Sequence, residues 1–552
     1  MIPERRYWLL LTLSVLVYFA GLFVKLFEND SAQFAVMAMR MAQENDFINL
    51  IKDNQDYLDK PHLHFWFAAL SFKIFGIHDW AYRIPGLIFT LIAAYSTYGL
   101  GRLLYNKEVG KLAALIFMSC QTIILSAIDV RTDAVLTGSV ILAIWQLAVY
   151  LQNGHLRALL LGAFATGLAF STKGQIGLLV IGIPLLCHVI YQNYWKRVFD
   201  PKVLLAVLVF GLTISPMLYA YYQQFDMHPE KVIRGLSDRS GIRFIFWEQS
   251  FERLSGEGVG KNSSDYFFFF HTLLWVLLPW TLLSLLALFA RIKSAWKTRL
   301  QKTNFLEILT LGGILIVFLI ISFAQFKLPH YLNVLIPLFA VITSSYIAQM
   351  YQDKKRKQIR INLGLQFFIL GLLFLTALLI CFIVFRFEHW YWYVILFVLL
   401  LPMAYSCIER NDYTLRLITI SIVGSVMFNL VMNIHFYPRL LNFQGGSTMA
   451  SWVSENGLDT SRIFKASPRH TWAMDFYLQD PLLRLNVEQM KTESDIWVYA
   501  DDRELSAMRE AGIRWDRQKS VDQFRITRLQ AKFLKPATRM QVVRNMYLVH
   551  LP

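Results

Sequence analysis

The stretch MIPERRYWLLLTLSVLVYFAGLFVKLF, residues 1–27, decides the fold. A basic start leads into an apolar run of the length, about 20 residues, that crosses a hydrocarbon core of about 30 Å. No small-residue cleavage signal follows, so the run reads as a retained first span and not as a removed leader. Similar blocks recur along the chain, whose 552 residues are 56% apolar and 17% charged. A soluble chain of this length carries more charge. The expectation is a polytopic α-helical membrane protein.

About thirteen spans are expected at this block length, near residues 7–27, 81–101, 110–128, 134–152, 157–171, 174–193, 203–223, 267–290, 305–323, 331–350, 362–385, 391–408 and 415–435. With the amino terminus in the cytoplasm, the inner loops RLLYNKEVGK, YWKRVFDPK, RIKSAWKTRLQK and YQDKKRKQIR are rich in Lys and Arg. The short outer loops hold about one basic residue each (Arg131, Lys173, Lys327, Arg386), which satisfies the positive-inside rule. The net charge of +16 therefore orients spans and faces anionic headgroups, and nucleic acid is excluded as a partner.

Two long loops, 28–80 and 224–266, and the tail fall outside. The tail alternates strand-like pieces (RIFKA, DIWVYA) with the helix-like RELSAMREAG, so residues 436–552 are expected to form a soluble α/β domain beside a membrane domain of residues 1–435. Cys120, Cys187, Cys381 and Cys407 lie in or beside apolar runs without ligand spacing, which argues against disulfides and structural zinc.

The informative residues are ionisable groups at the outer ends of spans. In FENDSAQFAVMAMRMAQ (27–43), Phe34, Met37, Ala38 and Met41 recur at i, i+3, i+4 and i+7, an amphipathic helix lying on the surface with Asp30 at its amino end. Asp30 is either that helix's N-cap or a functional carboxylate. In YLDKPHLHFW (57–66), Pro61 suits a first helical turn. The helix over 61–76 would be roughly 24 Å long, too short and polar to span, so it is expected at the interface. Lys60 then stands at a helix amino terminus, a phosphate-binding arrangement bordered by Tyr57 and Asp59. His62 and His64 at i, i+2 point roughly 200° apart on a helix, which argues against a shared metal. IDVRTDAVL adds Asp129, Arg131 and Asp133; AFSTKGQIG adds Lys173; AQFKLPHYL adds Lys327, His330 and Tyr331. Each alone is explained by a snorkelling interfacial side chain. Together, at one depth, they point to a shared cavity.

Asp30 with its helix, YLDKPHLHFW, FGIHDWAYRIPG, RTDAVL, LAFSTKG, FFFFHTLLWVLLPW and FKLPHYLNVLIP follow one another in an order that resembles the glycosyltransferases of the C superfamily. The resemblance covers residues 1–350 and is nearest to the bacterial aminoarabinose–lipid A transferases, with protein O-mannosyltransferases as relatives. It implies transfer of a sugar from a polyprenyl (undecaprenyl) phosphate to lipid A, or to a protein or other glycan, on the outer face of the bacterial inner membrane. It implies Asp30 as the catalytic residue, and Lys60, Lys327, Tyr331 and Tyr57 at the donor phosphate. Asp59, Asp133 and Arg83 are its cavity or acceptor candidates, and Arg131, Lys173 and His330 join them from their place in the outer loops. Glu248 and Arg253, in FWEQSFERLSGE of the second outer loop, are read as acceptor candidates from their position. The family's Asp-Glu pair is Asp30-Ser31 here, so a metal site is not supported and no obligatory cofactor is expected. His62 stands where the family has a small residue. The expected partners are the lipid-linked donor, the acceptor and membrane lipids, with the chain acting as a monomer. The competing reading of another class is a lipid-linked sugar transporter, which would favour repeated halves and charges near the midplane.

Overall fold

In the computed structural model, residues 1–255, 265–301, 306–390 and 412–552 are described, with 394 and 401. Among these, seven helices are long and apolar enough to cross a membrane: Asp79–Leu104, Asp133–Asn153, Gln175–Gln192, Val203–Asp226, Pro329–Gln352, Arg356–Val384 and Tyr413–Leu441. The pair Phe268–Val276 and Thr281–Lys297, bent by 120°, makes an eighth if it is one span. Ile308–Phe323 is a shorter apolar helix. The chain is thus a multi-pass helical membrane protein. The expected span at 391–408 lies almost wholly outside the described residues.

The expected span at 110–128 is broken into Lys107–Met118 and Gln121–Ser126. Cys120 takes an extended conformation between them. The Gln121 backbone N–H is captured by the Leu278 carbonyl at 2.9 Å, and its side chain is paired with Asn429. Tertiary partners for the freed polar groups make this break tolerable inside an apolar block.

A helix forms where the amphipathic pattern predicts one, but it is packed within the protein instead of lying on the surface, with Ser31, Ala35 and Met39 buried besides its apolar stripe. Helix Asp30–Glu44 buries Phe34, Met37, Ala38 and Met41 against helix Leu63–Phe75 and Trp472–Leu478. Burial of each large apolar side chain contributes about 1.5–3 kcal/mol. A short hairpin of β1 (Ile51–Lys52) and β2 (Gln55–Asp56) lies between the two outer helices in sequence. The helix after Pro61 starts two residues later than expected. The first helical bond runs from Trp66 N–H to the His62 carbonyl at 2.9 Å, so Lys60 precedes the helix instead of standing at its start.

Arg83 is fully buried. Its guanidinium donates to the carbonyls of Ile128 (2.8 Å), Leu22 (2.9 Å) and Lys25 (3.2 Å). It therefore staples the end of the first helix, Glu4–Gly21, to the loop that carries Asp129, Arg131 and Asp133. Expected among the cavity residues, it lines neither of the two cavities described below.

The tail contains a five-stranded sheet in the order β4-β3-β5-β7-β6, with β3 Ile463–Lys465, β4 Leu483–Arg484, β5 Ile496–Asp501, β6 Arg517–Gln523 and β7 Arg544–Leu551. β3 is parallel to β4 and β5, whereas β7 is antiparallel to β5 and β6. Alternation along β5 sends Trp497 and Tyr499 into one core, with Met449 and Met474 of helices Gly445–Glu455 and Trp472–Leu478. Ile496, Val498 and Ala500 go into another core, with Leu505 and Met508 of helix Asp502–Glu510. This is the period-2 burial of a sheet covered on both faces.

Candidate active site

Asp30 is the first residue of its helix, and its side chain makes no cap bond. The carboxylate accepts from Arg131 Nη1 at 2.8 Å, while Arg131 Nη2 reaches Asp129 at 2.8 Å. The N-cap reading is therefore replaced by an ion pair to a loop 101 positions away. The Asp30 side chain keeps 42% exposure, which leaves it accessible to a substrate.

Two residues along the same loop, Asp133 is buried and accepts from Lys173 Nζ at 2.8 Å, with His330 Nε2 at 3.7 Å. Lys173 Nζ also lies 4.7 Å from the centre of the Tyr331 ring. The loop at 129–133 thus holds Asp30 through one residue and the Lys173 cluster through another.

Lys60, Asp133, Lys173, His330 and Tyr331 line one cavity of about 260 Å³. Its remaining walls are largely apolar, including Leu136, Ile176, Leu179, Val180, Ile321 and Val334. The cationic end favours a phosphate, and the apolar walls favour a hydrocarbon chain. Gln249 also lines this cavity, and its side-chain amide donates to the Asp59 carbonyl at 2.9 Å. Sequence reading missed Gln249 because a neutral residue in a long loop carries no signal beside charged neighbours.

Tyr57 and Asp59 are not in that lining. They face a second cavity of about 610 Å³, between the first outer loop and the tail sheet. Asp59 is ion-paired with Arg234 of the second outer loop. Lys327 is almost wholly buried; it donates to the Asp265 carbonyl at 2.9 Å and lies 5.1 Å from the Tyr266 ring centre. It sits outside the lining of the Lys60 cavity, though its neighbours Phe326 and His330 belong to it. Glu248 pairs with Arg239 (3.2 Å) and Arg243 (3.1 Å) within its own loop and lines neither cavity, and the Arg253 side chain lies outside the described residues.

The two histidines diverge as helix geometry requires. His62 Nε2 meets the Ile48 carbonyl at 2.8 Å and His64 Nε2 meets the Tyr82 hydroxyl at 3.1 Å. Burial pushes His62 down to about 4, so it is a neutral anchor for the first outer loop. Among the described residues, no group of three or more His, Cys, Asp and Glu side chains is placed to share a metal ion.

Residues 59–219 match the family profile of dolichyl-phosphate-mannose-protein mannosyltransferases. An undecaprenyl phosphate-alpha-4-amino-4-deoxy-L-arabinose arabinosyl transferase 2 of Proteus mirabilis is 26% identical over 70% of this chain and 68% of its own length. The corresponding transferase of Photorhabdus laumondii is 23% identical over 64% of this chain and 61% of its own. The crystal structure of ArnT from Cupriavidus metallidurans bound to undecaprenyl phosphate superposes with a TM-score of 0.74 at 15% identity, covering 98% of this chain and 97% of that one. The matched stretch thus spans about three-fifths to two-thirds of the sequence relatives, whereas the fold is shared along the whole chain. The profile covers the Lys60, Asp133 and Lys173 segments together, and the chain shares the fold of ArnT along nearly its whole length.

Proposed function

We propose that this protein transfers aminoarabinose from undecaprenyl phosphate to lipid A at the outer face of the bacterial inner membrane. The observation that carries the reading is the cavity that combines Lys60 and the Asp133–Lys173 pair with apolar walls. A polyprenyl phosphate has that split character: an anionic head and a hydrocarbon tail. The relatives described above, which use this class of donor, support the same assignment.

Cleavage of the sugar–phosphate bond develops negative charge on the departing polyprenyl phosphate. Lys60, in a cavity of low polarity, stabilises that charge where electrostatic interactions are strongest. Lys173 is held by Asp133 and Tyr331 in a fixed position at the same end. Asp30, oriented by Arg131, faces the acceptor. Toward a hydroxyl acceptor it removes the proton in a direct, inverting attack. Toward a lipid A phosphate, already ionised, it orients the nucleophile and balances charge. No obligatory metal enters this scheme, and activity in a chelator tests that part.

The fuller topology belongs to the same reading. Thirteen spans place Asp30, Lys60 and the tail together on the periplasmic side, with residues 436–552 as an α/β domain and residues 1–435 as the membrane domain. Every group the scheme uses lies in one chain, which works as a monomer.

The test is mass spectrometry of envelope lipids from cells with and without the protein, joined to transfer assays on the purified chain. Loss of aminoarabinose-modified lipid A is expected on deletion. Asp30→Asn and Lys60→Ala are expected to abolish transfer in folded protein. Unchanged lipid A with altered glycoprotein would move the acceptor assignment, and full activity of either variant would sink the residue roles.

A further inference from the structure

The segment Tyr57–Lys60 is a wall with a different cavity on each side. Tyr57, Leu58 and Asp59 line the larger, polar cavity, and the next residue, Lys60, lines the smaller one with apolar walls. A group-transfer enzyme handles two substrates, and the smaller cavity fits the lipid-linked donor. Gln33 and Met37, one and two turns beyond Asp30 on its helix, line the edge of the larger cavity. One turn rises about 5.4 Å, so an occupant there lies close to the Asp30 end of the helix.

The larger cavity's walls carry both signs of charge, and most of the carboxylates have partners. Its outer-loop carboxylates are already taken: Asp53 by His470 (2.8 Å), Asp56 by Lys231 (3.2 Å) and Asp59 by Arg234. Arg40 is likewise held by Glu44 and Asp46. Lys52, Lys465 and Arg484, which also line the cavity, have no ion-pair partner among the described residues. Lys465 Nζ donates to the Thr471 hydroxyl at 3.2 Å. Asp475, a buried carboxylate in the same lining, accepts from the Thr471 hydroxyl (2.9 Å) and the Leu482 N–H (3.1 Å). Cations without an ion pair among the described residues therefore stand on both the loop side (Lys52) and the tail side (Lys465, Arg484) of the cavity.

The same walls carry flat aromatic surface. Lys52 Nζ lies 6.0 Å from the Tyr57 ring centre and 5.3 Å from that of Trp472. Trp472 is pinned by His470 stacked at 4.0 Å and by an N–H bond to Asp53 at 3.2 Å. Cations beside fixed aromatic faces suit a sugar that bears phosphate. A volume of about 610 Å³ is in the range of pockets that hold ligands larger than a single sugar ring.

The geometry points to this cavity as the acceptor site, taking a phosphorylated saccharide headgroup on Lys52, Lys465 and Arg484, with the Tyr57–Lys60 wall separating it from the donor. The inference rests on the transferase reading and gives the tail sheet a part in substrate recognition, since β3, β4 and Trp472 form one side of the site.

The experiment uses the full-length protein in detergent micelles, with lipid A and its enzymatically dephosphorylated form as probes. A photo-crosslinking residue, p-benzoylphenylalanine, replaces the exposed Leu483 at the cavity mouth. It is expected to capture lipid A, and the dephosphorylated form at least about tenfold less, as loss of charged hydrogen bonds implies. Lys52→Ala combined with Arg484→Ala is expected to lower capture and raise the acceptor KM about tenfold, with undecaprenyl phosphate affinity unaltered and Lys52→Arg restoring much of the loss. Equal capture of both lipids, or an unchanged acceptor KM in the double variant, overturns the site. The crosslink reads binding without turnover, so a chain that captures lipid A yet transfers nothing separates failure of the transferase reading from failure of this one.

Discussion

Arg131 Nη1 bonds the Asp30 carboxylate at 2.8 Å while Arg131 Nη2 bonds Asp129 at the same distance. A guanidinium can bridge two carboxylates because its donors form a rigid fork, whereas a lysine ammonium is a point charge on a flexible stem. Arg131 therefore fixes where Asp30 points. Arg131→Met is expected to lower kcat/KM by about 100-fold or more, the size of loss a misplaced catalytic group produces. Arg131→Lys should recover only part of it. Undecaprenyl phosphate affinity, measured separately, should stay within about twofold because Arg131 does not line the Lys60 cavity. A variant with unaltered kcat/KM would show that Asp30 needs no such orientation.

Asp133 and Lys173 make a pair of another kind, with side chains 4% and 11% exposed. Truncating one partner leaves the other charged and buried, at a cost of about 3–5 kcal/mol. Lys173→Met is expected to lower the thermal midpoint sharply in detergent, and Asp133→Leu with Lys173→Met to recover part of that stability. On the proposed function the double variant should remain inactive, because the cationic end of the Lys60 cavity has lost Lys173. A single variant as stable as the parent would mean that Asp133 finds another partner.

The local patterns in the chain were enough to place much of this site. The i, i+3, i+4, i+7 apolar set marked helix Asp30–Glu44 and its buried face, because the amphipathic period depends only on nearby residues. The outer ionisable groups at 60, 133, 173, 330 and 331 do share one cavity. Their depth was legible from span ends, since each lies where an apolar block stops. Partnerships were not legible. Arg83 reads as a span-end cation like the others, and only packing shows that it bonds three backbone carbonyls. Tyr57 and Lys60 look like one site in sequence, yet they line different cavities. The break at Cys120 depends on Leu278 and Asn429, contacts that an unbroken apolar block gives no hint of.

Glu28 gives a pH signature to the join between the loop before Asp30 and the tail. Its carboxylate is turned inward and accepts from the Ala473 N–H at 3.2 Å. Burial, with Asp475 nearby, lifts it from 4.5 to about 7. The folded state thus binds this proton more tightly than the unfolded chain, so the ionised group costs stability above pH 7. The cost fades as pH falls through about 7 and is gone below about 4.5, and a shift of this size amounts to about 3 kcal/mol at most. Glu28→Gln keeps an acceptor for Ala473 without the charge. It is expected to raise the thermal midpoint at pH 8 and leave it unchanged at pH 4.5. Asp475, lifted to about 6 by its own burial, keeps a smaller dependence of the same sign in the variant. Equal midpoints for parent and variant at pH 8 would remove Glu28 as the source.

Gln444 is the firmest tie across that join. Its side chain is 1% exposed; the amide donates to the Leu26 carbonyl at 2.9 Å, and its oxygen accepts from the Glu28 N–H at 2.9 Å. It clamps both ends of a three-residue stretch that leads directly into Asp30. Tyr477 adds a hydroxyl to the Leu26 N–H at 2.7 Å. Gln444→Leu leaves two buried backbone groups without partners, each costing about 1–3 kcal/mol. A loss limited to folding would lower the amount of active protein but leave its kcat and both KM values unaltered. If Gln444 also sets the position of Asp30, the surviving folded protein should show kcat reduced about tenfold or more, with the KM for donor little changed. Gln444→Glu, which keeps the acceptor for Glu28 but loses the donor to Leu26, should fall between the two. Active-site titration of folded variant protein that returns the parental kcat would confine Gln444 to stability and leave Arg131 as the principal constraint on Asp30.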